Sequence, residues 1–177
     1  MGKSRNKETQ GGNEIHKAAA SGNSPLIREL CKSVDHSGSN EIDIDGTNDR
    51  GMTPLHMVIK NGHVNSLRSL FECGANMNFK SKKVDSPMMV AARAGQVEMI
   101  TALYKLGAEL DMTNKYNMTP LYMASESGQL EAVQLLLSLG ADASLSAVTG
   151  DGPVAIAAAS GHDQIISTFC ATGVNID

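Results

Sequence analysis

The chain has 177 residues, of which 41% are apolar and 3% aromatic, and its formal net charge at pH 7 is −4. These values predict a single domain, and no apolar stretch is long enough to span a bilayer. The acidic balance and the few aromatic side chains disfavour a dedicated nucleic-acid-binding protein, and no secretory leader is recognised.

The first segment, residues 1–13, has no apolar face, so it is predicted to be a disordered tail. Gly2 follows Met1 as in N-myristoylated proteins, but that motif has Ser or Thr where Asn6 stands here. A solvated tail is therefore the preferred interpretation, and a lipid-anchored membrane adaptor is an alternative.

A helical pattern begins in residues 14–22 and continues through Leu26, Ile27 and Leu30. It lacks the Thr-Pro pair of the later copies, as expected of a terminal copy with no preceding neighbour. The following segment, from Lys32 to Asn40, is polar and rich in turn-forming residues. We predict a loop insertion there, which is either merely tolerated or in contact with a partner.

After residue 47, one short unit repeats along the chain. Prolines recur at intervals of 33 residues, at Pro54, Pro87, Pro120 and Pro153. Two series of glycines keep the same interval, at Gly62, Gly95, Gly128 and Gly161, and at Gly74, Gly107, Gly140 and Gly173. A constant period of this length indicates one small structural unit that is copied along the chain, each copy packing on the next.

Each copy carries the signals for two helices. Thr53, Ser86 and Thr119 precede periodic prolines, so each is predicted to cap the N-terminus of a short first helix. Gly152 takes this place in the last copy and is expected to weaken the cap by about a few tenths of a kcal/mol. The first periodic glycine then ends the first helix in the left-handed conformation, and a second amphipathic helix ends at the second glycine.

The segment Thr53-Pro54-Leu55-His56 matches the TPLH signature of ankyrin repeats, and Gly-Ala-Asp or Gly-Ala-Asn endings resemble those of the same family. The resemblance covers residues 14–177. It divides them into five repeats, the first divergent and N-terminally capping, at about 14–47, 48–80, 81–113, 114–146 and 147–177. The resemblance implies an all-α fold, an ankyrin-repeat α-solenoid of helix-turn-helix pairs with short β-hairpin finger loops.

The resemblance also implies a non-catalytic protein-protein interaction module, such as an adaptor, an inhibitor or an assembly factor. In similar arrays the partner contacts the concave face and the finger tips. Transferred copy by copy, the candidate partner-binding residues are Arg50, Met52, Lys60, Lys80, Lys82, Lys83, Arg93, Lys115, Tyr116 and Met118.

This candidate face is basic although the chain as a whole is acidic. Seven of its side chains are cationic, and its acidic positions are Asp49, Asp85, Glu126 and Asp151. A basic face attracts an oppositely charged ligand and accelerates its docking. We therefore predict an acidic segment of a partner protein as the ligand, with Tyr116, Met52 and Met118 as apolar anchors. Lysines that are merely solvated are one alternative, and nucleic acid in the same basic groove is another.

Histidines and other reactive residues show no pattern of a catalytic or metal site. His16 and His56 occupy the histidine position of the family signature, where the resemblance implies that the ring braces a finger through hydrogen bonds. No two histidines or cysteines have zinc-ligand spacing, and no phosphate-binding glycine loop or nucleophile elbow occurs. We therefore predict no enzyme activity, no metal and no cofactor.

The three cysteines, Cys31, Cys73 and Cys170, are an odd number and fall in different copies. They are therefore predicted to be reduced thiols and not a disulfide framework. The expected location is the cytoplasm, the nucleus or both, and the chain is expected to be monomeric on its own.

Overall fold

The structure, a computed structural model, describes residues 10–32 and 42–173. Within these residues every regular element is an α-helix, so the predicted all-α repeat class is confirmed. The chain divides into two compact units, one ending at Asn76 and one beginning at Met77. The first unit contains α1 (Gln10–Ala20), α2 (Ser24–Lys32), α3 (Pro54–Lys60) and α4 (Val64–Glu72). The second contains α5 (Pro87–Arg93), α6 (Val97–Lys105), α7 (Pro120–Glu126), α8 (Leu130–Ser138), α9 (Pro153–Ala159) and α10 (Asp163–Ala171).

The first unit consists of two stacked helix pairs. α1 packs on α3 and α2 packs on α4, and Ile15, Ile27 and Leu55 are fully buried. α1 begins at Gln10, within the segment predicted to be a tail, because a helix nucleated by buried residues extends over neighbours of low intrinsic propensity. Residues 1–9, which include Gly2, and most of the insertion lie outside the described residues, so the disordered tail, the lipid anchor and the role of the insertion stay predictions.

Two histidine rings connect the helix pairs of the first unit. His16 Nε2 lies 3.0 Å from the carbonyl oxygen of Met52, which belongs to the second finger. His63 Nε2 lies 3.0 Å from the carbonyl oxygen of Ala20, at the end of α1. Each ring nitrogen donates a hydrogen bond to its carbonyl oxygen, and the carbonyl group of Met52 also accepts one from the backbone of Asn48 at 2.9 Å. The bracing role implied for His16 is thereby confirmed.

A disulfide bond joins Cys31 in α2 to Cys73, the residue that follows α4. The two Cα atoms are 5.9 Å apart, which is a usual separation for bonded cysteines. The prediction of reduced thiols is therefore wrong for this pair, while Cys170 is a free, exposed cysteine. Spacing along the chain does not reveal the bond, because the residues are 42 positions apart and meet only when α2 packs on α4.

The second unit consists of three stacked helix pairs. α7 packs between α5 and α9, and α8 contacts both α6 and α10. The first helices of the pairs therefore form one layer and the second helices form another. Leu121, Ala124 and Val133 of the middle pair are fully buried, because this pair has a neighbour on each side.

The predicted helix ends are present. Hydroxyl oxygens accept a hydrogen bond from the backbone of the first helical turn in three copies, at Thr53, Ser86 and Thr119. Gly152 has no side chain to do so. His56 strengthens the cap in the second copy, since its ring Nδ1 lies 2.8 Å from Thr53 Oγ1. All eight glycines of the two periodic series have positive φ angles, which confirms the left-handed helix ends.

The fingers are turns without strand pairing among the residues that the structure describes. Side-chain acceptors hold them in place from copy to copy. In the second unit, Asn78 Oδ1 accepts a hydrogen bond from the backbone of Glu109 at 2.8 Å, and Asp111 Oδ1 accepts one from the backbone of Asp142 at 3.0 Å. These bonds satisfy backbone donors that a strand ladder would otherwise pair.

Gly128 shows why a glycine is required at the end of a first helix. Its φ angle is +70°, and a Cβ atom there would lie 2.6 Å from the ring of His162. That ring donates from Nε2 to the carbonyl oxygen of Glu126 at 3.2 Å and so joins the fourth copy to the fifth. Gly161, one period later, has a φ angle of +75°, but nothing lies within 4 Å of the place that its Cβ would take.

We expect Gly128→Ala to destabilise the protein more than Gly161→Ala does. Both variants place a side chain on left-handed backbone, which costs about 1–2 kcal/mol. Only the first also displaces the ring of His162. Urea denaturation followed by circular dichroism measures the difference, and equal losses of stability would contradict a role for the ring contact.

We also expect a thiol reductant to destabilise the first unit. The Cys31–Cys73 bond links residues 42 positions apart, and restriction of the unfolded chain by such a link amounts to about 4 kcal/mol in the chain-entropy treatment. Thermal unfolding with and without reductant measures the effect. Cys31→Ser should abolish the response to the reductant, and Cys170→Ser should retain it. A wild-type melting temperature that is unchanged by the reductant would refute this prediction.

Candidate functional site

The ten residues predicted to bind a partner are divided between the two units. Arg50, Met52 and Lys60 lie in the first unit and the other seven in the second. Arg50 and Lys60 are exposed, whereas Met52 is half-buried. Asn48 Oδ1 accepts hydrogen bonds from the backbone of Arg50 at 3.0 Å and of Met52 at 3.1 Å, so this finger tip is a fixed turn.

In the second unit, six predicted residues line one open pocket of about 290 Å³ between the third and fourth fingers. We call it the lysine pocket, and its predicted members are Lys82, Lys83, Arg93, Lys115, Tyr116 and Met118. The other residues in its wall are Ser81, Val84, Asp85, Asn114, Met123 and Glu126. The second unit thus brings side chains from two neighbouring copies to one place.

Arg93 is held by its own protein. Its Nη2 atom lies 2.7 Å from Asp85 Oδ2 and 3.0 Å from Met123 Sδ. The second oxygen of the same carboxylate, Asp85 Oδ1, accepts a hydrogen bond from Asn114 Nδ2 at 2.9 Å. This network fixes the guanidinium group and neutralises much of its charge, so the contribution of Arg93 to the basic face is smaller than the sequence predicts.

Lys80 is also occupied within the protein. Its Nζ atom donates a hydrogen bond to the carbonyl oxygen of Thr113 at 2.9 Å, which ties the third finger to the start of the fourth. Lys80 is not among the residues of the pocket wall. Its position therefore favours a structural role over contact with a partner in the pocket.

Besides Arg93, the pocket has three exposed cations, Lys82, Lys83 and Lys115. The first two lie on a closed turn, in which the backbone of Ser81 donates to the carbonyl oxygen of Val84 at 3.1 Å. Lys115 Nζ lies 4.8 Å from the centre of the Tyr116 ring, within the range of a cation–π contact. The pocket thus has lysines on both sides.

The fourth finger tip is rigid. Asn114 Oδ1 accepts hydrogen bonds from the backbone of Tyr116 at 2.9 Å and of Met118 at 3.2 Å, while Asn117 has a φ angle of +60°. Asn114 stands at the same repeat position as Asn48, and both side chains make the same turn. The period alone therefore contained the signal for this residue, which the sequence prediction did not include.

The side of the face toward the fifth copy is acidic. Tyr122 replaces the signature histidine of the fourth copy and is buried. Burial raises the pKa of Tyr122 above its ordinary value of 10.0, and the carboxylates of Glu126 and Asp151 raise it further. The predicted basic face is therefore not of one sign in this unit, because it changes from lysines to carboxylates between the third and fifth copies.

The described part of the chain contains no group of three or more His, Cys, Asp or Glu side chains arranged to hold a metal ion. None of the helices in residues 10–32 and 42–173 is long and apolar enough to cross a membrane.

Capped helix pairs that stack at a constant period, with exposed side chains on rigid fingers, define a helical-repeat protein. Residues 2–81 and 69–147 match the family model for ankyrin repeats in 3 copies, so the match covers more than half of the chain. The chain belongs to the ankyrin repeat family. Ankyrin repeats are a non-catalytic fold that mediates protein–protein interaction. A comparison with curated proteins finds no significant match.

The raised pKa of Tyr122 predicts a loss of stability at alkaline pH. Because the folded state holds the phenolic proton more tightly, this contribution is present below the ordinary pKa of 10.0 and is lost as the pH rises through the raised value. Tyr122→Phe should therefore lose less stability than the wild type between about pH 9 and pH 11. Urea midpoints across this range test the prediction, and parallel curves for the two proteins would contradict it.

Proposed function

We propose that the chain is a non-catalytic protein-interaction module whose lysine pocket binds an acidic segment of a partner protein. The observation that supports this proposal best is the meeting of Lys82, Lys83 and Lys115 around one pocket. Among the ion pairs of the described residues, none involves any of these lysines. Their ammonium groups are therefore available to a ligand.

The charge of the pocket wall favours an anionic ligand. Its acidic members are Asp85 and Glu126, against four cationic side chains. Asp85 already contacts Arg93 and Asn114, so its charge is largely compensated inside the wall. A positive pocket in a chain of net charge −4 steers acidic ligands toward itself and away from the rest of the surface.

The rigidity of the two fingers favours binding as well. The third finger is closed at Ser81 and Val84, and the fourth is closed by Asn114. A site that is already ordered loses little conformational freedom when a partner docks, so more of the contact energy appears as affinity.

Nucleic acid is the second candidate ligand, because the same lysines would contact phosphate groups. Tyr116 is the one aromatic side chain of the pocket wall, which provides a single stacking surface where single-strand binders use several. The acidic protein segment is therefore the preferred ligand. A location in the cytoplasm or nucleus and a monomeric state are part of the same proposal.

The test compares Lys83→Glu with Lys105→Glu. Both variants change an exposed lysine of the second unit by the same charge, but Lys105 lies at the end of α6 and outside the pocket. We expect random displayed peptides selected on the wild type to be enriched in Asp and Glu. Lys83→Glu should weaken their binding by about tenfold or more, equivalent to about 1.4 kcal/mol.

Lys105→Glu should bind these peptides like the wild type, and thermal melting should show that both variants are folded. Selected peptides without acidic enrichment, or equal losses in the two variants, would refute the acidic-segment proposal. Titration with single-stranded and double-stranded oligonucleotides at low salt tests the alternative. Binding of an oligonucleotide that is tighter than that of every selected peptide would favour nucleic acid as the ligand.

A further inference from the structure

We infer that the partner segment is acidic only where it lies in the lysine pocket and then places a large apolar side chain on Tyr116 and Val148. We call these two exposed side chains the tip patch. The inference rests on the proposed function and extends its site onto the fifth finger.

The tip patch consists of unusually exposed apolar residues. Tyr116 is 48% exposed and Val148 is 67% exposed, the largest value for any large hydrophobic residue in the described ranges. A single exposed apolar side chain is ordinary on a protein surface. These two, however, are neighbours, because the backbone N–H of Val148 donates to the carbonyl oxygen of Tyr116 at 2.9 Å.

The structure holds the tip patch in place without a partner. Asn117 Nδ2 donates to the carbonyl oxygen of Ser146 at 2.7 Å, which fastens the fourth finger to the fifth. The fifth tip is closed by a hydrogen bond from the backbone of Ala147 to the carbonyl oxygen of Asp151 at 3.0 Å. Tyr is enriched among the residues that contribute most to binding, and side chains on a preordered backbone lose little conformational freedom when a partner docks.

The tip patch is continuous with the lysine pocket. Tyr116 belongs to both, since its ring lines the pocket and lies 4.8 Å from Lys115 Nζ. A segment that fills the pocket and extends past this ring next reaches Val148. The same bound segment can therefore contact lysines first and apolar side chains second.

Charge determines what the extension consists of. Beyond Tyr116 the fifth finger carries the exposed Asp151, whose backbone carbonyl closes the tip that holds Val148. Acidic residues that continued in this direction would be repelled by the carboxylate of Asp151. An apolar side chain avoids this repulsion and buries the tip patch, so charge complementarity favours an acidic run followed by an apolar residue over an acidic run throughout.

The experiment uses the full chain and fluorescein-labelled peptides. One peptide carries a run of glutamates flanked by glycine and serine, and two others carry the same run with leucine and phenylalanine after it or before it. We expect one of the two apolar orders to bind the wild type about tenfold more tightly than the glutamate-only peptide, as burial of an apolar side chain provides.

Val148→Ser is the diagnostic variant and Val97→Ser is its matched control. Val97 is 38% exposed but lies at the start of α6, away from the fingers. Val148→Ser should reduce the preference for the apolar peptide to less than about twofold, leave the affinity for the glutamate-only peptide unchanged, and keep the wild-type melting temperature. Val97→Ser should change neither affinity.

Two failures are distinguishable. If the glutamate-only peptide binds as tightly as both apolar peptides, or if Val148→Ser keeps the preference, the inference is overturned and the proposed function stands. If none of the peptides binds, both the proposed function and the inference are overturned.

Discussion

The stacking of each helix pair on the next is the interaction on which the rest of this structure depends. The first helices of the second to fifth copies have 7 residues and the second helices have 9, and such short pairs cannot enclose an apolar core alone. A recurring contact sets their spacing in both units. His63 and His162, each following a helix-ending glycine, donate to a carbonyl group of the preceding copy.

The same stacking determines which side chains are available for binding. Arg93 and Lys80, which the period places on the candidate face, are taken up by contacts between neighbouring copies or within the pocket wall. Lys82, Lys83 and Lys115 are not needed for stacking and remain at the finger tips. The surface that we propose for binding is therefore a local pocket, and the charge of this face changes along the second unit.

The first helix pair has a neighbour on one side only within its unit, and it carries the disulfide bond. α2 contacts α4 through a hydrogen bond between Ser24 and Ser66 at 2.8 Å, and the Cys31–Cys73 bond joins the far ends of the same helices. A covalent link offsets the smaller burial that a pair with one described neighbour obtains.

The amino-acid sequence by itself determined the repeat, its helix ends and the family. Prolines, capping hydroxyls and glycines act through local backbone geometry, which depends on nearest neighbours in the chain. The period also assigned the finger positions, including six of the residues that line the lysine pocket. Only the tertiary structure decided which of these side chains are available to a partner. Asp85 and Met123 lie 8 and 30 positions from Arg93 in the sequence, and they contact its guanidinium group only because the chain is folded. The tertiary structure also determined the Cys31–Cys73 bond. The two cysteines are 42 positions apart in the sequence and meet only when their helices stack, so their spacing along the chain does not show that they are close in space.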